Sequence, residues 1–134
     1  MKKDHLNILL VDDDEINNFL SEELINEYST SVSKIISKTS SDQAVSYLEQ
    51  LIKLNESLPD IILLDINMPK QDGWDFLKRL ESFSVDNLLK VKIYIYTSSV
   101  YYADINKAKA HKLVSNIYTK PLTKKMMDEM EGKV

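Results

Sequence analysis

The 134-residue chain contains no cysteine and few of the residues that interrupt regular structure. The missing cysteine excludes disulfides, thiol catalysis and cysteine-ligated zinc or iron–sulfur sites. Average usage would give about nine glycines in this length, but Gly73 and Gly132 are the only two, beside Pro59, Pro69 and Pro121. Each of these five residues therefore carries positional information.

Excess positive charge and long apolar runs are also lacking. The net charge of −4 argues against binding to nucleic acid or to an anionic membrane surface. No apolar run approaches the roughly 18 residues of a membrane span. The first one, residues 6–11, runs into three aspartates, which is unlike a signal peptide. We therefore expect a cytoplasmic protein, and the length suits one domain over residues 1–134.

Short apolar runs alternate along the chain with segments of helical periodicity. The predicted strands are 6–11, 32–36, 61–64, 91–96 and 115–119. Strands separated by helices, and apolar on both faces, indicate a parallel sheet covered on both sides. An antiparallel sheet would need hairpin turns such as Asn-Gly, which the sequence lacks. We predict an α/β fold with a doubly wound five-stranded parallel sheet.

The first and fourth predicted helices differ in their apolar content. Ile16, Phe19, Leu20, Leu24 and Tyr28 recur every three to four residues, which predicts a first helix that buries this face. The fourth helix, residues 102–112, carries few apolar anchors. The last helix has apolar residues at every fourth position, namely Leu122, Met126 and Met130.

Polar residues follow four of the predicted strands. In open parallel sheets, ligands bind beyond the carboxyl ends of the strands. The residues delivered to that edge are Asp12, Asp13 and Asp14 after the first strand, Asp65 after the third, Thr97, Ser98 and Ser99 after the fourth, and Thr119 and Lys120 after the fifth. The sequence therefore predicts a site made of carboxylates, hydroxyls and one lysine.

This set of residue types favours a divalent cation beside a phosphoryl group. Asp12, Asp13 and Asp65 would repel one another unless a cation lay between them. Oxygen ligands indicate a hard ion, and Mg²⁺ needs fewer protein ligands than Ca²⁺. Lys120 can supply a positive charge and Thr97 a hydroxyl donor to an oxyanion. A carboxylate such as Asp65 can attack phosphorus and become an aspartyl-phosphate.

Four motifs along the chain resemble those of response-regulator receiver domains. The acceptor loop is LDINMPKQDG at residues 64–73, and LLVDD at 9–13 resembles the acidic pair of the first strand. YTS at 96–98 and Lys-Pro at 120–121 complete the set. Together they span most of the chain, in the family's order and spacing. The resemblance implies a flavodoxin-like (βα)5 fold with strand order 2-1-3-4-5.

The resemblance also implies a role for each site residue. Asp65 would be the phosphoacceptor, and Asp12, Asp13, Asp65 and the backbone carbonyl of Asn67 would hold Mg²⁺. Thr97 and Lys120 would contact the phosphoryl group. The donor would be a phosphohistidine on a histidine kinase or a phosphotransfer protein. The protein would be a phosphoacceptor switch in two-component signal transduction, catalysing only its own phosphorylation and dephosphorylation.

Regulation and output follow from the same resemblance. Asn67 and Ser99 occupy positions that tune hydrolysis in the family. The switch pairs Thr97 with an aromatic residue three positions before the lysine, but that position here is Ile117 and the tyrosine is Tyr118. The face formed by helix 4, strand 5 and helix 5 commonly binds partners. The chain leaves no room for a DNA-binding domain, so we expect output by protein–protein contact or phosphorelay, with no nucleic-acid or membrane partner.

Two other functions fit parts of the sequence. Residues 12–16, DDDEI, partly resemble the nucleophile motif of haloacid-dehalogenase-like phosphatases, but Ile16 misses its last position. That alternative also leaves the loop from Asp65 to Gly73 unexplained. The other alternative is a receiver fold that only binds partners and is never phosphorylated, against which the complete set of acidic, hydroxyl and lysine residues argues.

Overall fold

A computed structural model describes residues 5–68, 73–98 and 100–132. Within these residues the chain forms five strands and six helices. In chain order they are β1 (Leu6–Val11), α1 (Glu15–Tyr28), β2 (Val32–Lys38), α2 (Ser41–Lys53), β3 (Ile61–Leu64), α3 (Gly73–Leu80), α4 (Val85–Leu88), β4 (Lys92–Thr97), α5 (Tyr102–Ala110), β5 (Val114–Thr119) and α6 (Lys124–Glu131).

The strands form one sheet in the order β2-β1-β3-β4-β5, and every neighbouring pair is parallel. This confirms the predicted doubly wound fold and its 2-1-3-4-5 order. All four residues of β3 are buried, as expected for a strand covered on both faces. The two edge strands, β2 and β5, are instead partly exposed.

Two apolar layers cover the sheet. One layer packs Leu9, Ile62 and Leu64 of the strands against α2 and α3. The other packs Leu10, Leu63 and two tyrosines of β4 against α1 and α6. Alternate residues of each strand point to opposite faces, so each central strand contributes to both layers.

The predicted apolar face of α1 is wrong for the first half of the helix and right for the second, where Leu24 and Tyr28 pack half-buried against the core. Ile16, Phe19 and Leu20 are 70%, 60% and 51% exposed, whereas Asn18 and Ser21 are buried together with Ile25. The polar side chains are buried because each has a hydrogen-bond partner: Asn18 donates to the Asp12 carbonyl, and Ser21 bonds to the Tyr96 hydroxyl. A buried polar group with a partner avoids the desolvation penalty.

Two helices in the second half of the chain bury little apolar surface. The short helix α4 lies in the connection between α3 and β4, where the sequence pattern predicted no helix, and it has no buried residue. The predicted fourth helix is α5, and Ala108 is its one buried residue. Among the described residues, no helix is both long enough and apolar enough to cross a membrane.

Trp74, the single tryptophan of the chain, joins α3 to α5. The Lys107 ammonium lies 4.5 Å from the centre of the indole ring, within cation–π range. The His111 ring lies 6.4 Å away, and its Nε2 is 3.9 Å from a carboxylate oxygen of Glu81. The contact between α3 and α5 thus combines an aromatic ring with charged and polar groups.

The ionisation of Tyr118 lowers the stability of the fold at alkaline pH. Burial, followed by the hydrogen bond that its hydroxyl donates to Glu129 (3.0 Å), raises the pKa of Tyr118 to about 12. An unfolded tyrosine ionises near 10. The protonated hydroxyl therefore stabilises the fold fully below a pH of about 10, and this contribution is lost as the pH rises to about 12.

We predict that Tyr118→Phe weakens this dependence. Between a pH of about 8 and a pH of about 11, the variant should lose about 1 kcal/mol less of its unfolding free energy than the wild type. Urea denaturation at the two pH values measures the difference. Tyr101→Phe, a change at an exposed tyrosine, is the matched control and should follow the wild type. Equal losses in Tyr118→Phe and the wild type would contradict the prediction.

Candidate functional site

Asp12 enters the site directly from the end of β1. It is 5% exposed, and its Oδ1 accepts a hydrogen bond from the Asp14 N–H (3.0 Å). Asp14 is in turn the N-cap of α1, and its carboxylate accepts from the Ile16 N–H (2.9 Å). This cap fixes the turn between β1 and α1 and holds the Asp12 carboxylate at the carboxyl edge of the sheet.

Asp65 follows β3 and accepts hydrogen bonds from two neighbours. Its Oδ1 accepts from the Thr97 hydroxyl at 2.9 Å and from the Asn67 N–H at 2.9 Å. The Asn67 side chain also donates to Thr97 Oγ1 (2.8 Å). Asp65 is 6% exposed and Thr97 is fully buried, so the carboxylate depends on these donors in place of water.

Lys120 joins the two buried carboxylates. Its backbone N–H donates to the Thr97 carbonyl (2.8 Å), which ties the end of β5 to β4. Its ammonium contacts Asp12 Oδ2 and lies 3.1 Å from Asp65 Oδ2. Burial lowers the pKa of Lys120, but the hydrogen bond to Asp12 and the charge of Asp65 outweigh burial and raise it. The ammonium therefore stays charged between the two carboxylates.

Asp13 completes an acidic triad with Asp12 and Asp65. Partial burial and the neighbouring Asp12 charge raise the pKa of Asp13. One carboxylate oxygen from each residue lies within 4.8 Å of the other two. Three hard oxygen ligands at this spacing fit a small divalent cation such as Mg²⁺. Asp13 is exposed and lines an open cleft with Asp14 and Thr39, so a cation and its waters can enter from solvent.

The structure brings six predicted site residues to one place: Asp12, Asp13, Asp65, Asn67, Thr97 and Lys120. The peptide bond between Lys120 and Pro121 is cis. Ser99 and Pro69, also singled out in the sequence, lie outside the described residues. The remaining predicted residue, Ile117, is half-buried against a third, smaller apolar cluster formed by Ile66, Ile95 and Ala108. Tyr118 packs in the layer with α1 and α6. Neighbouring residues of a strand point to opposite faces of the sheet, so Tyr118 cannot take the place of an aromatic side chain at position 117.

Two residues beside the site, Asn18 and Ser21, were missed by the sequence analysis, and Tyr96 was noted there only as part of the YTS motif. Asn18 donates a hydrogen bond to the Asp12 carbonyl (2.9 Å). Ser21 and Tyr96 bond to each other through their hydroxyls (3.1 Å). Hydrophobic periodicity assigns Asn and Ser to the surface of a helix, so it carried no signal for the two polar residues of α1. For Tyr96, the signal was its place directly before Thr97.

The fold and the site together define an α/β domain with an acidic pocket at the carboxyl edge of its parallel sheet. The sequence model of the family described as response regulator receiver domain matches residues 8–130. The chain therefore belongs to the response regulator receiver domain family. Members of this family are phosphoacceptor switches of two-component systems and are not classical enzymes.

Individual relatives agree with the family assignment. The probable C4-dicarboxylate response regulator DctR of Halalkalibacterium halodurans is 35% identical over 89 residues, or 63% of this chain and 34% of that protein. The chain thus spans about a third of that relative. A two-component response regulator from Cytophaga hutchinsonii is 32% identical, with 98% of this chain and 97% of the other covered and a TM-score of 0.89. One from Legionella pneumophila is 28% identical, with 93% and 94% covered and a TM-score of 0.77.

Gly73 allows the start of α3 to approach the backbone that carries Asp65. A Cβ at this position would lie 2.7 Å from the Asp65 carbonyl oxygen and 2.8 Å from the Ile66 Cα. Both contacts are too short for carbon and involve backbone, which cannot rotate away. Any side chain at position 73 must therefore displace either α3 or the segment at Asp65.

We predict that Gly73→Ala lowers the unfolding free energy by about 1–3 kcal/mol, as overpacking typically does. Chemical denaturation measures the loss, and backbone NMR shifts should change at Asp65 and Ile66. Gly132→Ala is the control, because Gly132 has a φ of +76° but open space around its Cβ position. That variant should change backbone strain without moving Asp65. Wild-type stability and unchanged Asp65 shifts in Gly73→Ala would refute the steric argument.

Proposed function

We propose that this domain accepts a phosphoryl group on Asp65 from a phosphohistidine donor. One observation carries the proposal: the buried Asp65 carboxylate lies 2.9 Å from the Thr97 hydroxyl and 3.1 Å from the Lys120 ammonium, within the acidic triad. The carboxylate is therefore surrounded by groups that can stabilise the charge of a phosphoryl group.

The proposed transfer is a substitution at phosphorus. A carboxylate oxygen of Asp65 forms a bond to phosphorus while the bond between phosphorus and the donor imidazole nitrogen breaks. The imidazole keeps the electron pair of that bond and takes a proton from solvent. Lys120 and Thr97 contact the phosphoryl oxygens, so their hydrogen bonds pass from the Asp65 carboxylate to the transferred group.

The acidic triad is the proposed Mg²⁺ site. Asp12, Asp13 and Asp65 would hold the ion, with the backbone carbonyl of Asn67 as a further ligand. When bound, Mg²⁺ neutralises negative charge on the carboxylates and on the phosphoryl oxygens. We further propose that Asn67 and Ser99 set the rate at which the aspartyl-phosphate hydrolyses. The contact of Asn67 with both Asp65 and Thr97 supports its part in this role.

Output is proposed to pass through the face formed by α5, β5 and α6. Ala108 is the one residue of α5 that is buried, and few buried contacts favour local mobility. Tyr101 and Tyr102 at the start of α5 are 66% and 79% exposed, and exposed aromatic side chains suit a protein partner. Thr97 and Ile117 would couple the site to this face.

Phosphorylation of Asp65 is tested by intact mass after incubation with Mg²⁺ and acetyl phosphate. We predict one added phosphoryl group in the wild type, none in Asp65→Asn, and at least about tenfold slower labelling in Lys120→Ala. Chelation of Mg²⁺ should abolish labelling. Asp14→Asn is the matched control, because asparagine also caps a helix and Asp14 lies outside the triad; it should label like the wild type.

Other outcomes of that experiment favour the alternative functions. Labelling that is lost in Asp12→Asn but retained in Asp65→Asn would indicate a phosphatase with Asp12 as its nucleophile. A wild-type domain that acquires no phosphoryl group from acetyl phosphate or from phosphohistidine donors would indicate a module that only binds partners.

The donor is proposed to contact the exposed apolar face of α1. Ile16, Phe19 and Leu20 lie on one side of the helix, since residues three and four apart are neighbours. α1 begins two residues after Asp13, so this apolar patch adjoins the site that the donor histidine must reach. Exposed apolar patches beside a functional site are typical of protein interfaces.

We predict that Phe19→Gln slows transfer from a phosphohistidine protein roughly tenfold, as loss of a central interface side chain does. Labelling by acetyl phosphate, which needs no docking surface, should not change. The probe is a panel of phosphotransfer proteins with radiolabelled phosphohistidine, chosen by transfer to the wild type. Leu54→Gln, a change at another exposed apolar residue, is the control. Equal slowing with both donors, or with Leu54→Gln, would contradict the assignment.

A further inference from the structure

Tyr96 touches three parts of the molecule that meet behind the site. It is the penultimate residue of β4 and is 4% exposed. Its hydroxyl accepts a hydrogen bond from the Leu122 N–H (3.1 Å) and bonds to Ser21 Oγ of α1 (3.1 Å). The Lys120 ammonium lies 5.4 Å from the centre of its ring. One side chain therefore connects β4, α1 and the turn that follows β5.

The turn formed by residues 120–122 carries Lys120 and has two backbone N–H groups through which it can be fixed. Pro121 has no N–H, so the backbone donors of this turn are those of Lys120 and Leu122. The Lys120 N–H donates to the Thr97 carbonyl (2.8 Å), and the Leu122 N–H donates to the Tyr96 hydroxyl. Two consecutive residues of β4 thus bind both donors and fix the turn on either side of Pro121.

The ring of Tyr96 also lies near the ammonium end of the Lys120 side chain. A lysine side chain has a flexible four-carbon stem, and its ammonium can occupy many positions. Here the ammonium contacts Asp12 and Asp65 and also lies within cation–π range of the Tyr96 ring. The hydroxyl of Tyr96 therefore restricts the backbone turn that carries Lys120. The ring of Tyr96 restricts the position of the Lys120 ammonium.

We propose that Tyr96 is a positioning residue that sets Lys120 for contact with the phosphoryl group. This inference rests on the proposed phosphorylation of Asp65 and adds a residue that touches neither the carboxylate nor the proposed cation. Ser21 supports the phenol from α1. Tyr94 lies two residues earlier on the same strand and is also buried, with 6% of its surface exposed. Its ring packs on Tyr118, with 5.6 Å between the ring centres, so burial on this face does not by itself place a tyrosine beside Lys120.

The first test removes the hydroxyl and keeps the ring. Tyr96→Phe should phosphorylate from acetyl phosphate roughly fivefold more slowly than the wild type, as expected for loss of one buried hydrogen bond that holds a catalytic group. Tyr94→Phe is the matched control and should retain the wild-type rate. Ser21→Ala, which keeps the helix and removes one partner of the hydroxyl, should slow phosphorylation less than Tyr96→Phe and is the variant to use if Tyr96→Phe does not fold.

A double-mutant cycle shows whether Tyr96 acts through Lys120. In a Lys120→Ala background, Tyr96→Phe and Ser21→Ala should leave the residual rate unchanged, because the group that they position is gone. A general loss of stability would instead slow both backgrounds equally. An equal effect in both backgrounds, or no effect of either variant in the wild-type background, would overturn the proposal.

Amide hydrogen exchange tests the geometry without phosphorylation. The Leu122 N–H should exchange at least about tenfold faster in Tyr96→Phe than in the wild type, because it loses its acceptor. Ser21→Ala should give a smaller increase, and Tyr94→Phe none. An unchanged Leu122 rate in Tyr96→Phe would overturn the inference. A wild-type domain that cannot be phosphorylated would overturn the proposed function, and the exchange rates would still decide whether Tyr96 holds the turn.

Discussion

The structure around the site depends on a single ammonium group shared by two buried carboxylates. Asp12 and Asp65 come from different strands, and both are less than a tenth exposed. Two negative charges in such a place raise the free energy of the fold unless positive charge or hydrogen-bond donors meet them. Lys120 contacts both carboxylates, Thr97 donates to one, and the turn after β1 donates to the other. The ends of β1, β3, β4 and β5 are therefore held together by charge compensation as well as by the sheet.

Much of the fold and the site could be predicted from the sequence, because the apolar runs indicate the sheet and the residues after them indicate the site. Runs such as residues 61–64 are apolar on both faces, and such runs occur in parallel sheets. Once the sheet is parallel, residues after different strands meet at one edge, and Asp12, Asp65 and Lys120 were found in this way. The boundaries of β4 and β5 differ from the prediction by one residue, and β2 runs two residues further than predicted, to Lys38, which reflects the weak signal at strand ends.

The buried face of α1 was predicted only in part: Leu24 and Tyr28 pack against the core, but the apolar residues of the first two turns point away from it. Ile16, Phe19 and Leu20 suggest a buried stripe, but the helix packs on the sheet through Asn18, Ser21 and Ile25. Asn18 and Ser21 can be buried because they form hydrogen bonds with the Asp12 carbonyl and the Tyr96 hydroxyl, at the ends of β1 and β4. Such partners come from distant parts of the chain, which a pattern within one helix cannot show. The small helix α4 was missed for a related reason: it buries no residue and so leaves no apolar period.

The contact of Trp74 with Lys107 gives the domain a built-in optical reporter. Trp74 follows Gly73, the residue that α3 places against the backbone of Asp65, while Lys107 belongs to α5. The emission of an indole depends on charges near its ring, and this chain has one indole. Fluorescence excited at the red edge of protein absorption therefore arises from one place, the boundary between the helix beside the acceptor and the helix on the proposed output face. A change in the spacing of those two helices can be followed in real time without attaching a dye.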